Sequence, residues 1–95
     1  MARRRYLLAY DIADPARLRR VCTVMRDHGE RLQYSVFLCD LSLAELATLE
    51  LRVLSIIDLG ADSVVRIDLG PLPHPAAIHM HGRRRSLPST NPKIV

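Results

Sequence analysis

Residues 3–14 read RRRYLLAYDIAD, a basic lead-in followed by a short apolar run that stops at a carboxylate. The run from Tyr6 to Tyr10 is continuously apolar, contains two aromatic residues and lacks helical spacing, so it predicts a strand buried on both faces and central in its sheet. Because aspartate is a poor strand residue, Asp11 should mark the carboxyl end of that strand. In sheets with crossover helices, ligands tend to bind at this end of the strands, and Asp11 is therefore a candidate site residue.

The size and composition of the chain limit its class. A chain of 95 residues buries one modest core, which makes a single domain marginal on its own and favours oligomerisation. The 48% hydrophobic and 25% charged residues are typical of a globular protein, and no apolar run approaches the roughly 20 residues that span a bilayer. The apolar stretch after Arg3–Arg5 is also too short for a signal peptide. We therefore expect a cytoplasmic protein with no membrane contact, in which Cys22 and Cys39 are reduced structural thiols.

The net charge of +4 is unevenly distributed along the chain. Eight arginines lie in the first third, whereas acidic residues outnumber arginines from Asp40 to Asp68. The planar guanidinium group suits bidentate phosphate contacts, but a cluster of arginines is equally typical of a solvated surface. Charge alone leaves both interpretations open.

The first helix is predicted from local signals. Asp14 is a typical N-cap, Pro15 suits the first helical position, and Gly29 is expected to end the helix as a left-handed cap. Between them, apolar residues at helical spacing predict the stripe that faces the core. This stripe comprises Leu18, Val21, Cys22 and Met25.

The stretch from Arg31 to Leu41 is rich in β-branched and aromatic residues and allows two interpretations, a single long strand or a tight hairpin that turns near Tyr34 and Ser35. Ser42 with Glu45 then forms a capping box that opens a second helix, which is expected to end at Leu59 and Gly60.

The segment from Ser63 to Leu69 alternates apolar and polar residues, which predicts an edge or half-buried strand with Val65, Ile67 and Leu69 facing inward. The predicted order is βαββαβ when the hairpin is adopted. We therefore predict an α+β protein of ferredoxin-like fold.

The chain is expected to form one domain over residues 1–82. Within it, residues 70–76 contain three prolines and predict a connector, and residues 77–82 could form one more short strand at an exposed sheet edge. Residues 83–95 are basic and poor in apolar side chains, so they are expected to be a mobile tail. His79 and His81 have a spacing found in some metal sites, but polar residues of an edge strand are the better explanation.

The run Arg31-Leu32-Gln33-Tyr34-Ser35-Val36-Phe37 looks like the R-x-Q-x-S-V-F signature of the small CRISPR-associated endoribonuclease family, the second Cas protein of spacer acquisition. The strand-end aspartate of that family matches Asp11, and the resemblance covers Tyr6 to about Leu69. It implies the hairpin interpretation and a ferredoxin-like homodimer in which two Asp11 carboxylates face each other. Gln33, Ser35 and Phe37 would then be structural residues of the motif.

The resemblance also implies partners and chemistry. Two Asp11 carboxylates could hold Mg²⁺ or Mn²⁺ for hydrolysis of a phosphodiester in RNA or DNA. Members of the family also bridge the CRISPR integrase, the first Cas protein, without cutting. The first-helix arginines match in kind, with Arg20 the best positional fit, and the expected nucleic-acid contacts are Arg17, Arg19, Arg20 and Arg31.

Two hypotheses follow, a metal-dependent endonuclease centred on Asp11 and an adaptor that binds duplex DNA and the integrase. A related ribonuclease toxin or a small-ligand regulatory domain of ferredoxin-like fold is the alternative. It is less favoured because the signature from Arg31 to Phe37 is complete.

Overall fold

Four strands and two helices follow one another in the order βαββαβ. The computed structural model describes residues 2–82, and the predicted basic tail at residues 83–95 lies outside the described residues. The elements are β1 (Arg4–Asp11), α1 (Pro15–His28), β2 (Glu30–Gln33), β3 (Val36–Leu41), α2 (Leu43–Leu54) and β4 (Ser63–Pro71).

The four strands form one antiparallel sheet in the order β2-β3-β1-β4. Strand β1 therefore lies between β3 and β4, and β4 is an edge strand, as the sequence predicts. Each crossover helix joins two strands that are separated by a third, which is the ferredoxin-like arrangement. The predicted fold class is confirmed.

Both helices pack on one face of the sheet. Tyr6, Leu8 and Tyr10 of β1 point into this core and are at most 7% exposed. Leu7 and Ala9 point to the opposite face and are only partly buried. The prediction that β1 is buried on both faces is therefore wrong for a single chain, because the two helices cover one face only.

The second strand region is a hairpin. Strand β2 ends at Gln33 and β3 begins at Val36, so the turn lies at Tyr34 and Ser35. The carbonyl of Ser35 accepts a hydrogen bond of 3.1 Å from the Tyr10 amide, which joins the turn to β1. The alternative of one long strand is excluded.

Both helix starts are confirmed. The Asp14 side chain accepts a hydrogen bond of 2.9 Å from the Arg17 amide, and Pro15 opens α1. At α2, Ser42 Oγ accepts from the Glu45 amide at 3.2 Å while Glu45 Oε1 accepts from the Ser42 amide at 2.9 Å. These contacts satisfy amide groups that a helix cannot pair by itself.

The predicted left-handed cap at Gly29 is wrong. Gly29 has an extended backbone with φ −164°, which any residue can adopt. Its lack of a side chain matters because β3 passes close by. A Cβ atom at Gly29 would overlap the Leu38 carbonyl oxygen and Cys39 Sγ, so the glycine allows α1 to approach the sheet closely.

The second helix also ends earlier than predicted, at Leu54 instead of Leu59 and Gly60. The amides of Ser55 and Ile57 donate to carbonyls of the last turn. The chain then turns tightly, and the Asp58 carbonyl accepts from the Asp62 amide at 2.8 Å.

The predicted orientation of β4 is reversed. Directly paired residues of neighbouring strands point to the same face of a sheet, and Ile67 pairs with Leu7 while Val65 pairs with Ala9. These side chains therefore point away from the helices, and Val65 and Ile67 are 52% and 47% exposed. We call this surface the helix-free face, formed by Leu7, Ala9, Leu38, Val65 and Ile67.

Residues 72–82 return over part of the helix-free face. Ile78 and Met80 pack against Leu32 and Leu38, and Ile78 forms a β-bridge. Strand β4 extends to Pro71 and so includes the first two residues of the predicted connector.

Neither α1, with 14 residues, nor α2, with 12, is long and apolar enough to span a membrane, and residues 2–82 contain no other helix that could do so. Cys22 and Cys39 are buried and free, as predicted for structural thiols. Burial raises the pKa of Cys39 to about 12, which makes its thiolate inaccessible near neutral pH.

Candidate functional site

Asp11 is the last residue of β1 and is exposed. It pairs with Ser63 of β4, at the end of the row that contains Leu7 and Ala9, so its side chain lies on the helix-free face. The predicted strand end is confirmed. The carboxylate therefore borders an apolar surface, on the side of the sheet that the helices leave open.

The loop that follows Asp11 is fixed by the Asp62 side chain, which has no exposed surface. Asp62 accepts backbone hydrogen bonds of 2.9 Å from the amides of Ala13 and Asp58. It also accepts two from the Arg17 guanidinium, at 2.8 and 3.2 Å. Arg17 first, and then the two amides, hold the pKa of Asp62 well below its usual range, so the group is ionised in the folded protein.

Asp62 has a testable role in stability. Because its folded-state pKa is depressed, its contribution is fully present above the unfolded pKa of about 4 and is lost progressively as pH falls from there toward the folded-state pKa. We expect Asp62→Asn to lower Tm at pH 7 by about 10 °C or more, since it leaves Arg17 without its charge partner. Thermal unfolding at pH 7 and pH 3 measures this, and the difference between variant and parent should narrow at pH 3. Asp27→Asn, which breaks an exposed ion pair with Arg52, is the control, and equal losses at pH 7 would contradict the assignment.

The arginines divide into two groups. Ten lie in residues 2–82, and six of these pair with carboxylates at 2.8 to 3.3 Å. The paired group includes Arg3, Arg4 and Arg5, so the basic lead-in of the sequence is largely neutralised. The arginines without a carboxylate partner among the described residues are Arg19, Arg20, Arg26 and Arg31.

Of the four predicted nucleic-acid contacts, three belong to this unpaired group. Arg19 and Arg20 are exposed on α1, and Arg31 is half-buried on β2. Arg17 is instead held by Asp62 and is only 26% exposed. The structure therefore places Arg19 and Arg31 together between α1 and the β2–β3 hairpin, whereas Arg20 lies in a groove between α1 and α2. Arg17 organises the loop beside Asp11.

A cleft separates α1 from the turn of the β2–β3 hairpin and has a volume of about 320 Å³. We call it the α1 cleft. Its polar and aromatic lining consists of Tyr10, Arg19, Thr23, Arg26, Arg31 and Tyr34.

Arg31 is the most enclosed cation of the α1 cleft. Its Nη2 donates a hydrogen bond of 2.7 Å to Cys22 Sγ, whereas its buried Nε has no acceptor within residues 2–82. The guanidinium carbon lies 5.6 Å from the Tyr34 ring centroid and 5.4 Å from that of Phe37, at cation–π distances.

The signature residues support this arrangement in different ways. Phe37 is fully buried in the core, and its ring stacks against Tyr10 with the centroids 6.2 Å apart. Ser35 lies in the turn, and Gln33 is exposed at the end of β2. Burial, followed by the contact with Cys22, raises the pKa of Tyr10 to about 12, so its hydroxyl stays protonated at neutral pH.

Sequence reasoning missed two residues of this region. Arg26 lies seven positions after Arg19, on the same side of α1, and helical spacing could have identified it. Asp62 carries no local signal, because its partner Arg17 is 45 positions away in the sequence.

The described part of the chain contains no group of three His, Cys, Asp or Glu side chains that could hold a metal ion. Asp11 is the carboxylate at the candidate centre, and an exposed aspartate provides the hard oxygen ligand that Mg²⁺ or Mn²⁺ prefers. The donor chemistry of Asp11 therefore suits such an ion, and a single chain supplies one carboxylate toward it.

The fold and these surfaces define an α+β ferredoxin-like protein with an acidic strand end and an arginine-rich first helix. The family model for the CRISPR associated protein Cas2 matches residues 4–71. The chain belongs to the Cas2 family. This membership decides against the toxin and the regulatory domain that the sequence left as alternatives.

Individual relatives agree with this assignment. A CRISPR-associated endoribonuclease Cas2 from Rhodospirillum rubrum is 42% identical over 66 residues, which cover 70% of this chain and 65% of the length of that protein. A CRISPR-associated endonuclease Cas2 from Thermus thermophilus is 37% identical over 82 residues, which cover 77% of this chain and 91% of the relative. The crystal structure of a hypothetical protein from Thermus thermophilus is similar, with a TM-score of 0.76 and 30% identity, and the match covers 90% of this chain and 99% of that one.

Proposed function

We propose that the protein acts in CRISPR spacer acquisition as a homodimer that binds duplex DNA and bridges the CRISPR integrase. The observation that carries the proposal is the separation of two surfaces, an apolar helix-free face bordered by Asp11 and an arginine surface on α1 and β2. The first is suited to a second copy of the chain and the second to phosphates. Membership of the Cas2 family supports this combination.

The helix-free face is the proposed dimer interface. Val65 and Ile67 are about half exposed in a single chain, although they alternate with polar residues as core-facing residues do. A short chain that leaves such a row open gains stability when a second copy covers it. A two-fold axis across this face would bring the two Asp11 residues toward each other, since the same patch serves both copies.

A second candidate activity is metal-dependent cleavage of a phosphodiester. It is favoured by the position of Asp11 on the helix-free face and by relatives that are named endoribonuclease and endonuclease. The two Asp11 carboxylates would hold Mg²⁺ or Mn²⁺, which when bound polarises a phosphodiester oxygen and activates water. The chain itself contributes the carboxylates and, through Asp62 and Arg17, a fixed loop beside them.

The arginine surface is the proposed contact with duplex DNA. Arg19 and Arg20 are exposed and have no carboxylate partner within residues 2–82, so their charge is available to phosphates. Contacts to phosphates carry no sequence information directly and release bound counterions. Binding is therefore expected to be insensitive to sequence and steeply dependent on salt.

Charge reversal tests this proposal. We expect the double variant Arg19→Glu/Arg20→Glu to weaken duplex binding at least about tenfold at low salt and to reduce the salt slope by about 2, as loss of two phosphate contacts requires. Fluorescence anisotropy with one duplex at several salt concentrations measures both quantities.

The matched control is Arg4→Glu/Arg66→Glu, which changes net charge equally but reverses arginines already paired with Asp68 and Glu50, away from α1. If both double variants weaken binding equally, net charge rather than the α1 surface controls affinity, and the proposed contact is wrong.

A further inference from the structure

The α1 cleft gathers positive charge without a counter-charge. Three of the four unpaired arginines line it, and its lining contains no carboxylate. Arg19 and Arg26 reach it from positions two turns apart on α1, whereas Arg31 reaches it from β2. Guanidinium groups that converge in this way repel one another until an anion neutralises them, and their fork of donors suits a phosphate group.

Arg31 shows that the hydrogen bonding of the cleft is incomplete within the described residues. Its Nη2 donates to a thiol, which is a weak acceptor, and the Tyr10 hydroxyl also interacts with the guanidinium, but its buried Nε has no partner among residues 2–82. Buried donors are normally paired, so an unpaired one requires an explanation such as an absent ligand. A phosphate provides several strong acceptor oxygens to the same arginine.

The shape and the aromatic rim indicate more than a phosphate. A volume of about 320 Å³ lies at the lower end of the range of about 300 to 1,000 Å³ for small-molecule sites. Tyr34 lines the rim and is 63% exposed, although the Arg31 guanidinium lies 5.6 Å from its ring centroid. Such a ring can stack on a nucleobase of any type.

We infer that the α1 cleft binds one unpaired nucleotide, with its phosphate held by Arg19, Arg26 and Arg31 and its base stacked on Tyr34. The inference rests on the proposed nucleic-acid binding for the class of ligand. It differs from duplex binding because a base inside a duplex is paired and stacked and cannot enter the cleft without leaving the stack.

Titration of the full chain with deoxyadenosine monophosphate tests the inference. Deoxyadenosine, which lacks the phosphate, and inorganic phosphate, which lacks the base, should each bind at least about tenfold more weakly, because each loses one of the two contacts. Calorimetry measures the affinities, and amide NMR shifts locate the ligand. Equal affinity for the nucleotide and inorganic phosphate would overturn the stacking role of Tyr34, and absence of nucleotide binding would overturn the site.

Two substitutions form the matched pair. Arg26→Gln removes a charge of the cleft and should weaken nucleotide binding about tenfold, as loss of a charge-assisted hydrogen bond predicts. Arg66→Gln removes the same charge from an exposed arginine of β4 that does not line the cleft, and nucleotide affinity should stay that of the parent. Equal effects of the two variants would overturn the inference in favour of a diffuse electrostatic attraction.

A competition arm identifies the source of the nucleotide. Two competitors for the bound mononucleotide are compared, a 5′-phosphorylated deoxytetranucleotide and the free mononucleotide. If the tetranucleotide competes at the lower concentration, the natural ligand is the end of a strand. If the free mononucleotide does, the natural ligand is a free nucleotide. The outcome is separate from that of the duplex assay. Suppose that Arg19→Glu/Arg20→Glu loses duplex binding and that the parent binds no mononucleotide. The proposed function would then stand, and only the nucleotide site in the α1 cleft would be overturned.

Discussion

Replacement of Ile67 by glutamate is expected to convert the proposed dimer into a monomer at micromolar concentration. Ile67 is 47% exposed on the helix-free face, where it lies on the edge strand β4 and pairs with Leu7 of β1. In a symmetric dimer each copy would carry the change, so two carboxylates would lose water inside one apolar interface. We expect the dissociation constant to rise at least about 100-fold, because each 1.4 kcal/mol corresponds to about tenfold. Sedimentation equilibrium over a range of concentrations measures this constant.

Leu51→Glu is the matched control for this prediction. Leu51 is 70% exposed on α2, on the opposite side of the sheet, and it receives the same chemical change. Its association should equal that of the parent. If Ile67→Glu also associates like the parent, the helix-free face is not the interface, and the proposal that two Asp11 residues meet there fails with it.

The helix starts show which features of the fold are readable from sequence. Asp14 and Ser42 form hydrogen bonds to residues only three positions away, so the sequence contains both partners of each contact. The same locality explains why the turn at Tyr34 and Ser35 lies where the hairpin interpretation placed it. Such signals depend little on the rest of the molecule.

Strand β4 shows what alternation cannot decide. The pattern gives the period of the strand but not which phase faces the helices, and the apolar set was wrongly assigned to the core. In the structure, Val64 packs against the core, whereas Ile67 lies on the helix-free face. A row of apolar residues that a second copy of the chain would cover has the same sequence pattern as a row that packs against the protein's own helices.

Charge was the least readable property, because a sequence gives the number of arginines but not their partners. Arg5 and Asp40 are 35 positions apart, yet they form an ion pair at 2.8 Å. Arg17 looked like its neighbours on α1, but it is held by Asp62 from the loop before β4. Only the structure shows which arginines are paired with carboxylates over long sequence distances, and therefore which ones remain available for phosphates.

Asp11→Asn is expected to abolish cleavage if the protein cuts nucleic acid. Asparagine keeps the size of aspartate and much of its hydrogen bonding, but it lacks the charge that a hard divalent cation requires. Metal-dependent cleavage of RNA or duplex DNA should fall about 100-fold or more, since polarisation by a bound cation contributes several kcal/mol. Gel assays of the purified protein with and without Mg²⁺ or Mn²⁺ measure the effect.

The control for Asp11→Asn is Asp14→Asn. Asp14 lies three residues after Asp11 and is the N-cap of α1. Asparagine is as good an N-cap as aspartate, so this variant should fold and cut like the parent. Asp11→Asn should also fold, because Asp11 is exposed at the end of its strand. Cleavage by Asp11→Asn at the rate of the parent would remove Asp11 from the site.

The same variant separates the enzyme from the adaptor. Two facing carboxylates repel each other without a cation, so Asp11→Asn should form a dimer at least as stable as the parent in metal-free buffer. The arginine surface on α1 is unchanged, and duplex binding should persist. If cells that carry Asp11→Asn still acquire spacers while the purified variant no longer cuts, the adaptor function depends on the dimer and the arginines, and cleavage is incidental to it. If acquisition stops although dimer formation and duplex binding are intact, the Asp11 carboxylate has a chemical role in acquisition and the adaptor hypothesis alone is insufficient.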